Sequence, residues 1–313
     1  MPVSPEELKV RLDGQLAFSL TPFLGDVVDL DVLREHVELL LASGAQALFP
    51  AGGAGEFFSL TLEEYKQVVV TCVSQVAGRV PVVAGVGYGT ELARQFAVAA
   101  WESGADGIMV MPPYLVDAPQ DGLAAHYVAV ARATPVGVIL YQRGSALFEP
   151  QTVRTIADAA TNVIGFKDGI GDVHRLLRIR DLMRDRLIFI NGMPTAEVYA
   201  SALAACSARA YSSAILAFMP EVSRSFWLAL RSGDRSESER ILSEAILPFA
   251  EIRMRQPGYA VSLVKAGARL RGLPVGPVRW PLRDPVPADE DQLRALLAAL
   301  RLDVPLGRAA TLT

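Results

Sequence analysis

The chain has 313 residues, a net charge of −4, 51% hydrophobic side chains and 20% charged ones. This composition excludes an intrinsically disordered protein, and the absence of a lysine and arginine cluster argues against nucleic acid or an anionic membrane surface as a partner. One large hydrophobic core is expected, and α/β barrels reach this length as a single domain.

The N-terminal segment and the cysteines bear on the cellular compartment. Residues 1–14 are polar and lack the apolar centre of a secretory signal, and no apolar stretch reaches about 18 residues. Cys72 and Cys206 have no metal-ligand spacing, and we interpret both as packing residues of a protein in a reducing compartment. A cytoplasmic protein is therefore expected.

Short apolar runs alternate along the chain with longer segments of helical periodicity. The first run is followed by an amphipathic stretch at residues 31–42, and the same pairing recurs up to about residue 233. Gly44 and Gly104 stand where helices should end before the next strand. The eight predicted strands cover residues 16–20, 47–49, 80–84, 107–110, 137–140, 163–166, 187–190 and 208–211.

This alternation predicts an α/β protein with a parallel sheet. Eight units within roughly 200 to 250 residues favour a closed (β/α)8 TIM barrel over residues 15–233, with an open doubly wound sheet as the alternative. No strand is predicted within residues 234–313, which are expected to form a helical extension packed on the barrel within the same domain. Its predicted helices cover residues 234–255, 258–271 and 289–300, and a proline-rich connection covers 274–287.

Active sites of TIM barrels lie at the C-terminal ends of the strands, so the residues after each apolar run are site candidates. After the second strand, Gly53 and Ala54 belong to a glycine-rich segment whose backbone N–H groups could form an anion-binding nest, or which could be an ordinary flexible turn. After the eighth strand, Ser212 and Ser213 could hydrogen-bond a polyhydroxy substrate or cap the next helix.

Lys167 follows the sixth apolar run directly and is one of four lysines among 30 lysines and arginines. A lysine amine in an apolar pocket can lose its proton and attack a carbonyl to form a Schiff base, whereas arginine stays protonated. The structural alternative is a lysine that pairs with the adjacent Asp168 or extends to solvent. Tyr141 and Arg143 end the neighbouring fifth strand, where they could relay protons and bind a carboxylate.

Other chemistries have less support. His36, His126 and His174 all fall on predicted helices, without the spacing of a metal site, so no metal is expected. A serine hydrolase elbow is absent from the sequence, as are the glycine fingerprints of nucleotide-binding folds.

The motifs at the predicted strand ends resemble those of the Schiff-base lyases typified by dihydrodipicolinate synthase and N-acetylneuraminate lyase, in order and spacing through most of the chain. They are Gly52-Gly53-Ala54-Gly55-Glu56, Pro112-Pro113-Tyr114, Tyr141 and Gly165-Phe166-Lys167-Asp168. Further segments are most similar to the 5-dehydro-4-deoxyglucarate dehydratase family. These are Glu56-Phe57-Phe58-Ser59-Leu60, Gly85-Val86-Gly87-Tyr88-Gly89-Thr90, Phe166-Lys167-Asp168-Gly169, Pro194-Thr195-Ala196-Glu197 and Gly258-Tyr259-Ala260-Val261-Ser262.

The resemblance implies that Lys167 forms the Schiff base, that Tyr141 assists proton transfer and that the backbone around Gly53 and Ala54 holds the carboxylate of a 2-oxo sugar acid. It further implies dehydration with decarboxylation to 2,5-dioxopentanoate, in glucarate or galactarate breakdown. No cofactor is expected, because the protonated imine is itself the electron sink. A homotetramer built as a dimer of dimers is also implied.

Four positions depart from related patterns. Ala54 stands where the dehydratases usually have a threonine, and Gly144-Ser145 replaces their usual Asp-Asn pair. Leu115 stands where the synthases carry a second tyrosine that completes their relay across a subunit interface, which argues against synthase activity. Two alternatives stay open: a related lyase or aldolase for another 2-oxo sugar acid, and a weakly active sugar-acid-binding homologue.

Overall fold

The computed structural model describes residues 2–306 and contains a barrel of eight parallel strands. In hydrogen-bonded order the strands run 2-1-8-7-6-5-4-3, and a bridge between Leu48 and Val82 joins the second strand to the third and closes the ring. The predicted TIM barrel is thereby confirmed. The strands are Gly14–Ala17, Ala47–Leu48, Val83–Val86, Gly107–Val110, Gly137–Gln142, Val163–Asp168, Ile188–Asn191 and Ala208–Ser213.

Helices surround the barrel, and local sequence fixes several of their ends. Thr61 and Glu64 form a reciprocal capping box at the start of the helix Leu62–Val76. Gly44 and Gly104 have φ of +84° and +87° just after the helices Leu30–Ala42 and Thr90–Glu102 have ended, as predicted. In chain order the helices are α1 Pro5–Arg11, α2 Leu30–Ala42, α3 Leu62–Val76, α4 Thr90–Glu102, α5 Gln120–Ala131, α6 Pro150–Ala159, α7 Val173–Met183, α8 Ala200–Ala204, α9 Pro220–Ser232, α10 Arg235–Ile241, α11 Leu247–Arg253, α12 Tyr259–Leu270 and α13 Pro287–Ala299.

Helix α1 lies across the N-terminal end of the barrel, a feature the sequence did not predict. Its Leu8 is fully buried and packs into the same cluster as the inward-facing side chains of the strands. A Cβ atom at Gly107 would lie 2.5 Å from the Leu8 side chain, and one at Gly137 would lie 2.9 Å from it. The two glycines therefore make room for the leucine at the start of the fourth and fifth strands.

The C-terminal part is helical, as predicted, but its first helix is not continuous. Residues 234–255 were predicted as one helix, whereas α10 and α11 are separated by a π-helical turn at Leu242–Ile246. The proline-rich connection before α13 has no regular secondary structure, which confirms the prediction. Arg271, fully buried at the end of α12, forms an ion pair with Glu221 of α9 over 2.7 Å.

The first and third strands differ most from the prediction, while the other strand ends agree to within two residues. The first strand begins at Gly14 and ends at Ala17, so Phe18 to Leu20 already belong to the loop above it. The third strand begins at Val83, because Pro81 has no N–H to donate and the Val82 N–H donates to the Asp106 carboxylate over 2.9 Å. The division into barrel and extension within one domain stays a prediction, and residues 307–313 of that extension lie outside the described residues. Within residues 2–306 no helix has the length and apolar character needed to cross a membrane.

Candidate active site

A cavity of about 360 Å³ opens at the C-terminal ends of the barrel strands. Its wall combines strand ends of the barrel with residues of the C-terminal helices and their connections. The residues that line it and bear on the chemistry are Gly53, Ala54, Tyr141, Arg143, Lys167, Thr195, Ser212 and Arg253. A larger depression of about 490 Å³ lies at the opposite, N-terminal end, where Lys9, Arg180 and Asp181 line it. We assign the site to the first cavity because catalytic groups of TIM barrels meet at the C-terminal end.

Lys167 and Tyr141 are register partners on the sixth and fifth strands, so their side chains point to the same side of the sheet. The Lys167 Nζ lies 4.1 Å from the Tyr141 ring centroid, 4.3 Å from that of Phe18 and 3.6 Å from the Met109 sulfur. A Cβ at residue 192 would lie 2.7 Å from the lysine side chain, so Gly192 is required for its path. The amine is thus enclosed by aromatic and thioether groups at the floor of the cavity.

This enclosure changes the acidity of the amine. Burial, and secondarily the positive charge of Arg143, lower the pKa of Lys167 from 10.5 to about 7. Asp168 does not pair with it, because that carboxylate is buried on the other face of the strand. There it accepts hydrogen bonds from Gln142 at 3.0 Å and from the Ile170 and Gly171 N–H groups at 3.1 Å each. The structural alternative for Lys167, a pair with Asp168 or an extension to solvent, is not what the structure shows.

Tyr141 is held by hydrogen bonds on two sides. Its hydroxyl donates to the Gly192 carbonyl over 3.2 Å and accepts from the Arg143 Nη1 over 3.1 Å. The arginine therefore both lines the cavity and fixes the direction of the phenol O–H. The structure brings all three predicted residues, Lys167, Tyr141 and Arg143, to one place.

The loop after the second strand brings Gly53 and Ala54 to the cavity wall. It is held from below by Glu56, whose φ is +52° and whose carboxylate accepts from the Arg279 N–H at 3.0 Å. Within the described chain, neither the Gly53 nor the Ala54 N–H donates a hydrogen bond, so both donors are available to an anion. The glycine-rich segment is thus a fixed turn.

The eighth strand extends to Ser213, so the two serines predicted to follow it are its last two residues and face opposite sides. Ser212 lines the cavity, and its hydroxyl donates to the Asn191 carbonyl over 3.3 Å. Ser213 is buried behind the wall, where its hydroxyl donates to Glu197 over 2.5 Å and accepts from the Leu216 N–H over 3.1 Å. The structure therefore places Ser213 in the capping position of the following turn and does not bring it to the cavity.

Arg253 and Glu197 were not singled out by the sequence. Arg253 lines the cavity from the end of α11, and burial, followed by the charge of Arg143, lowers the pKa of its guanidinium. Glu197 lies beneath it, and burial raises the pKa of this carboxyl to about 7. No strand-end rule leads to α11, which begins more than thirty residues after the last strand, although Glu197 falls inside a segment already noted for its resemblance.

The histidines occupy structural positions. His36 is fully buried, accepts from the Leu20 N–H at 3.3 Å, and burial lowers its pKa to about 4. His126 packs edge-on against Tyr127, and His174 is exposed on α7. In the part of the chain that the structure describes, no group of three histidine, cysteine or acidic side chains could hold a metal ion.

Comparison with known proteins gives concordant results. The sequence profile described as the dihydrodipicolinate synthetase family matches residues 11–301. A protein of Streptomyces avermitilis named "Probable 5-dehydro-4-deoxyglucarate dehydratase 2" is 50% identical over 286 residues, which are 91% of this chain and 86% of that protein. A Bradyrhizobium sp. (strain ORS 278) protein named "Probable 5-dehydro-4-deoxyglucarate dehydratase" is 42% identical over 310 residues, covering 98% of this chain and 99% of that one.

Solved structures agree on the fold. The dihydrodipicolinate synthase of Oceanobacillus iheyensis superimposes with a TM-score of 0.88 at 27% identity, covering 95% of this chain and 99% of that one. A prophage protein of E. coli K12 belonging to the dihydrodipicolinic acid synthase family, solved in complex with pyruvate, gives a TM-score of 0.83 at 26% identity, covering 93% of this chain and 99% of that one.

Proposed function

The chain belongs to the dihydrodipicolinate synthetase family, and from this premise we propose that it is a Schiff-base lyase that dehydrates and decarboxylates 5-dehydro-4-deoxyglucarate to 2,5-dioxopentanoate. The names of the relatives at 42% and 50% identity support the reaction and the substrate. The enclosed amine of Lys167 supports the mechanism.

The acidity of that amine carries the proposal. With a pKa of about 7, roughly half of the Lys167 side chains are uncharged at neutral pH, whereas fewer than roughly one in a thousand would be at the ordinary value of 10.5. Only the uncharged amine is a nucleophile, and its apolar surroundings favour this form. The related prophage protein was solved in complex with pyruvate, a 2-oxo acid, which supports a 2-oxo acid as the substrate of this chain.

The neighbouring groups supply the other parts of imine formation. Tyr141, oriented by Arg143 and the Gly192 carbonyl, donates a proton to the departing carbinolamine hydroxyl and takes it back during hydrolysis. The free N–H groups of Gly53 and Ala54 hold the carboxylate next to the ketone. Ser212 hydrogen-bonds a substrate hydroxyl at the same wall.

The imine then accounts for both eliminations. As an iminium ion it acidifies the neighbouring methylene, so loss of a proton there expels the hydroxyl of the next carbon as water and leaves a conjugated iminium. The distal carboxylate departs as carbon dioxide, and its bonding electron pair passes along the conjugated chain to nitrogen. Reprotonation and hydrolysis release 2,5-dioxopentanoate and the free lysine. This route requires no metal or organic cofactor, because the iminium nitrogen accepts the electrons.

Borohydride reduction in the presence of 5-dehydro-4-deoxyglucarate tests this proposal. We expect intact-mass spectrometry to show one reduced adduct, peptide mapping to place it on Lys167, and a parallel assay to detect carbon dioxide. Lys265 is a matched internal control, since it is equally buried but lies outside the cavity wall. Release of pyruvate and an aldehyde would instead indicate the aldolase alternative. Ligand-dependent thermal stabilisation without any product would indicate the binding homologue.

Two further parts of the proposal concern assembly and location. We propose a homotetramer arranged as a dimer of dimers, supported by the exposed apolar residues Tyr114, Leu115 and Val116 on the loop after the fourth strand. A cytoplasmic location is supported by Cys72 and Cys206, which are both buried and free thiols.

A further inference from the structure

Arg253, which is half-buried, differs from the fully buried Arg271 in having no counter-charge bound to it. Within residues 2–306 its guanidinium forms no ion pair, and its Nε is buried without a hydrogen-bond partner. Arg271, by contrast, is fully buried and makes two hydrogen bonds to Glu221, at 2.7 and 2.9 Å. Because desolvating a cation is costly unless it is paired, an unpaired arginine at a cavity wall indicates that its partner comes from outside the chain.

The cavity holds more positive charge than its own acidic groups balance. Lys167, Arg143 and Arg253 all line it, and the charge of Arg143 lowers the pKa of both of the others. Glu197 is the acidic group whose charge acts on Arg253, but burial raises its own pKa to about 7, so it is partly neutral. An anionic ligand with more than one charge would relieve this repulsion.

The two arginines lie on the Tyr141 side of the site. Arg143 donates to the Tyr141 hydroxyl at 3.1 Å, and Tyr141 lies near enough to Arg253 to act on the pKa of its guanidinium. Gly53 and Ala54, on the loop after the second strand, have free N–H groups for the carboxylate next to the ketone. A planar guanidinium matches a carboxylate through two parallel N–H···O bonds, which a backbone nest or a lysine does not provide.

We propose that Arg253, together with Arg143, binds the second carboxylate of a linear 2-oxo dicarboxylic acid whose ketone is attached to Lys167. The inference rests on the proposed function, because it takes a 2-oxo acid held as an imine as its starting point. Arg253 is then the residue that selects dicarboxylates over monocarboxylates. The ion pair between Arg253 and this carboxylate is lost on decarboxylation, because carbon dioxide carries no charge.

A pair of unreactive probes isolates this contact. The acids 2-oxoadipate and 2-oxohexanoate have the same chain length and the same 2-oxo acid group, and differ by a carboxylate against a methyl at the far end. Neither has a hydroxyl to eliminate. For the wild type and for Arg253→Gln, we would measure the efficiency of cyanoborohydride trapping on Lys167 and, in parallel, the dissociation constant by calorimetry.

We expect the wild type to prefer 2-oxoadipate, and Arg253→Gln to weaken its binding and trapping about 10- to 100-fold, the scale of a lost charge-assisted hydrogen-bond pair. Values for 2-oxohexanoate should stay within about twofold. Arg253→Lys should recover part of the preference. Equal losses for both acids, or no loss for either, would overturn the inference. Absence of trapping in the wild type would contradict the imine mechanism, whereas calorimetry would still report whether Arg253 selects the dicarboxylate.

The melting temperature of Arg253→Gln and a control at the neighbouring Arg255 distinguish a binding role of Arg253 from a structural one. Arg255→Gln removes the same charge two residues further on, where the side chain pairs with Asp289 at 2.7 Å outside the cavity. Asp289 keeps its hydrogen bond from the Tyr259 hydroxyl at 2.8 Å, so this control should fold and bind both acids like the wild type. Arg253→Gln should melt at the same temperature as the wild type or higher, because it removes an unpaired, half-buried cation. A large drop in melting temperature together with loss of both ligands would mean that Arg253 is structural.

Discussion

Glu56 and Lys265 form an ion pair in which both side chains are fully buried, with 2.6 Å between the Lys265 Nζ and the Glu56 Oε1. Glu56 belongs to the loop that carries Gly53 and Ala54, and Lys265 to α12 of the C-terminal helices. The lysine also donates to the Pro277 carbonyl over 2.9 Å and lies 4.2 Å from the centroid of the Phe23 ring. This single contact therefore ties one wall of the cavity to the part of the chain that follows the barrel.

Lys265→Met should destabilise the fold by about 3 to 5 kcal/mol, because it leaves the Glu56 carboxylate buried without its counter-charge. The double variant Glu56→Gln/Lys265→Met should lose clearly less than the sum of the two single variants, since neither partner is left charged. Glutamine keeps an acceptor for the Arg279 N–H. Urea unfolding of the four proteins measures the coupling, and strictly additive losses would contradict a stabilising pair.

The rate of imine trapping should rise with pH and level off above the pKa of Lys167, at about 7. The sign follows from the nucleophile, since the amine attacks only after losing its proton, and burial makes that loss easier. Arg143→Gln removes a neighbouring positive charge and should move the midpoint to higher pH. Cyanoborohydride trapping of pyruvate across pH 5 to 10 measures both profiles, with Arg154→Gln on the exposed face of α6 as the control. A midpoint near 10 in the wild type would contradict an activated lysine.

Lys167→Arg should abolish trapping while keeping the charge, and Tyr141→Phe should slow it by about 10²-fold or more, the lower end of the range for lost general acid–base help. Single-turnover trapping of the substrate separates the two effects. Tyr65→Phe is the matched control, because that hydroxyl is also buried but lies in the hydrophobic core away from the cavity. Near-normal turnover in Lys167→Arg would rule out the Schiff base.

Ala54→Thr should raise turnover, up to about 10²-fold, because it restores a hydroxyl at the position where dehydratases usually carry one. Ala54 is only partly buried, which leaves space for the larger side chain. Steady-state kinetics should be compared with Ala54→Val, which has the same shape without the hydroxyl. Equal behaviour of the two variants would mean that this loop acts through its backbone alone.

Leu115→Asp should dissociate the proposed tetramer, since Leu115 is 83% exposed on an apolar loop and a charge there would have to be buried in an interface. Analytical ultracentrifugation should show four chains of 33.6 kDa in the wild type and a smaller species in the variant. Val10→Asp, at a position 80% exposed outside that loop, is the control. A monomeric wild type would contradict the assembly.

The sequence predicted those parts of the structure that depend on local pattern. All eight strands were found, and Lys167, Tyr141 and Arg143 were expected together because they end neighbouring strands. Contacts between distant segments were not predictable in this way. Nothing local indicates that Leu8 enters the barrel beside Gly107 and Gly137, or that the residues before α11 form a π turn rather than a continuous α-helix.

The same reason explains why Arg253 was missed. Arg253 reaches the cavity from α11, whose placement depends on packing between distant segments, such as that of Phe249 against Phe218 with ring centroids 5.1 Å apart. The two serines that end the eighth strand were not distinguished because the predicted strand stopped at Tyr211. Ser212 and Ser213 are adjacent in sequence, but successive residues of a strand face opposite sides, so only one of them could line the cavity.

The cavity wall consists of residues from two parts of the chain that have different roles. The amine and its proton donor stand on strands whose geometry is fixed by the closed ring, whereas Arg253, Gly258, Ala260, Val261 and Leu282 come from the helices and connections beyond it. Sequence drift in those outer segments can therefore exchange one acid for another while the imine chemistry stays intact. Under the proposed function, substitutions between residues 253 and 282 would change which acid is selected without altering the strands that carry Lys167 and Tyr141.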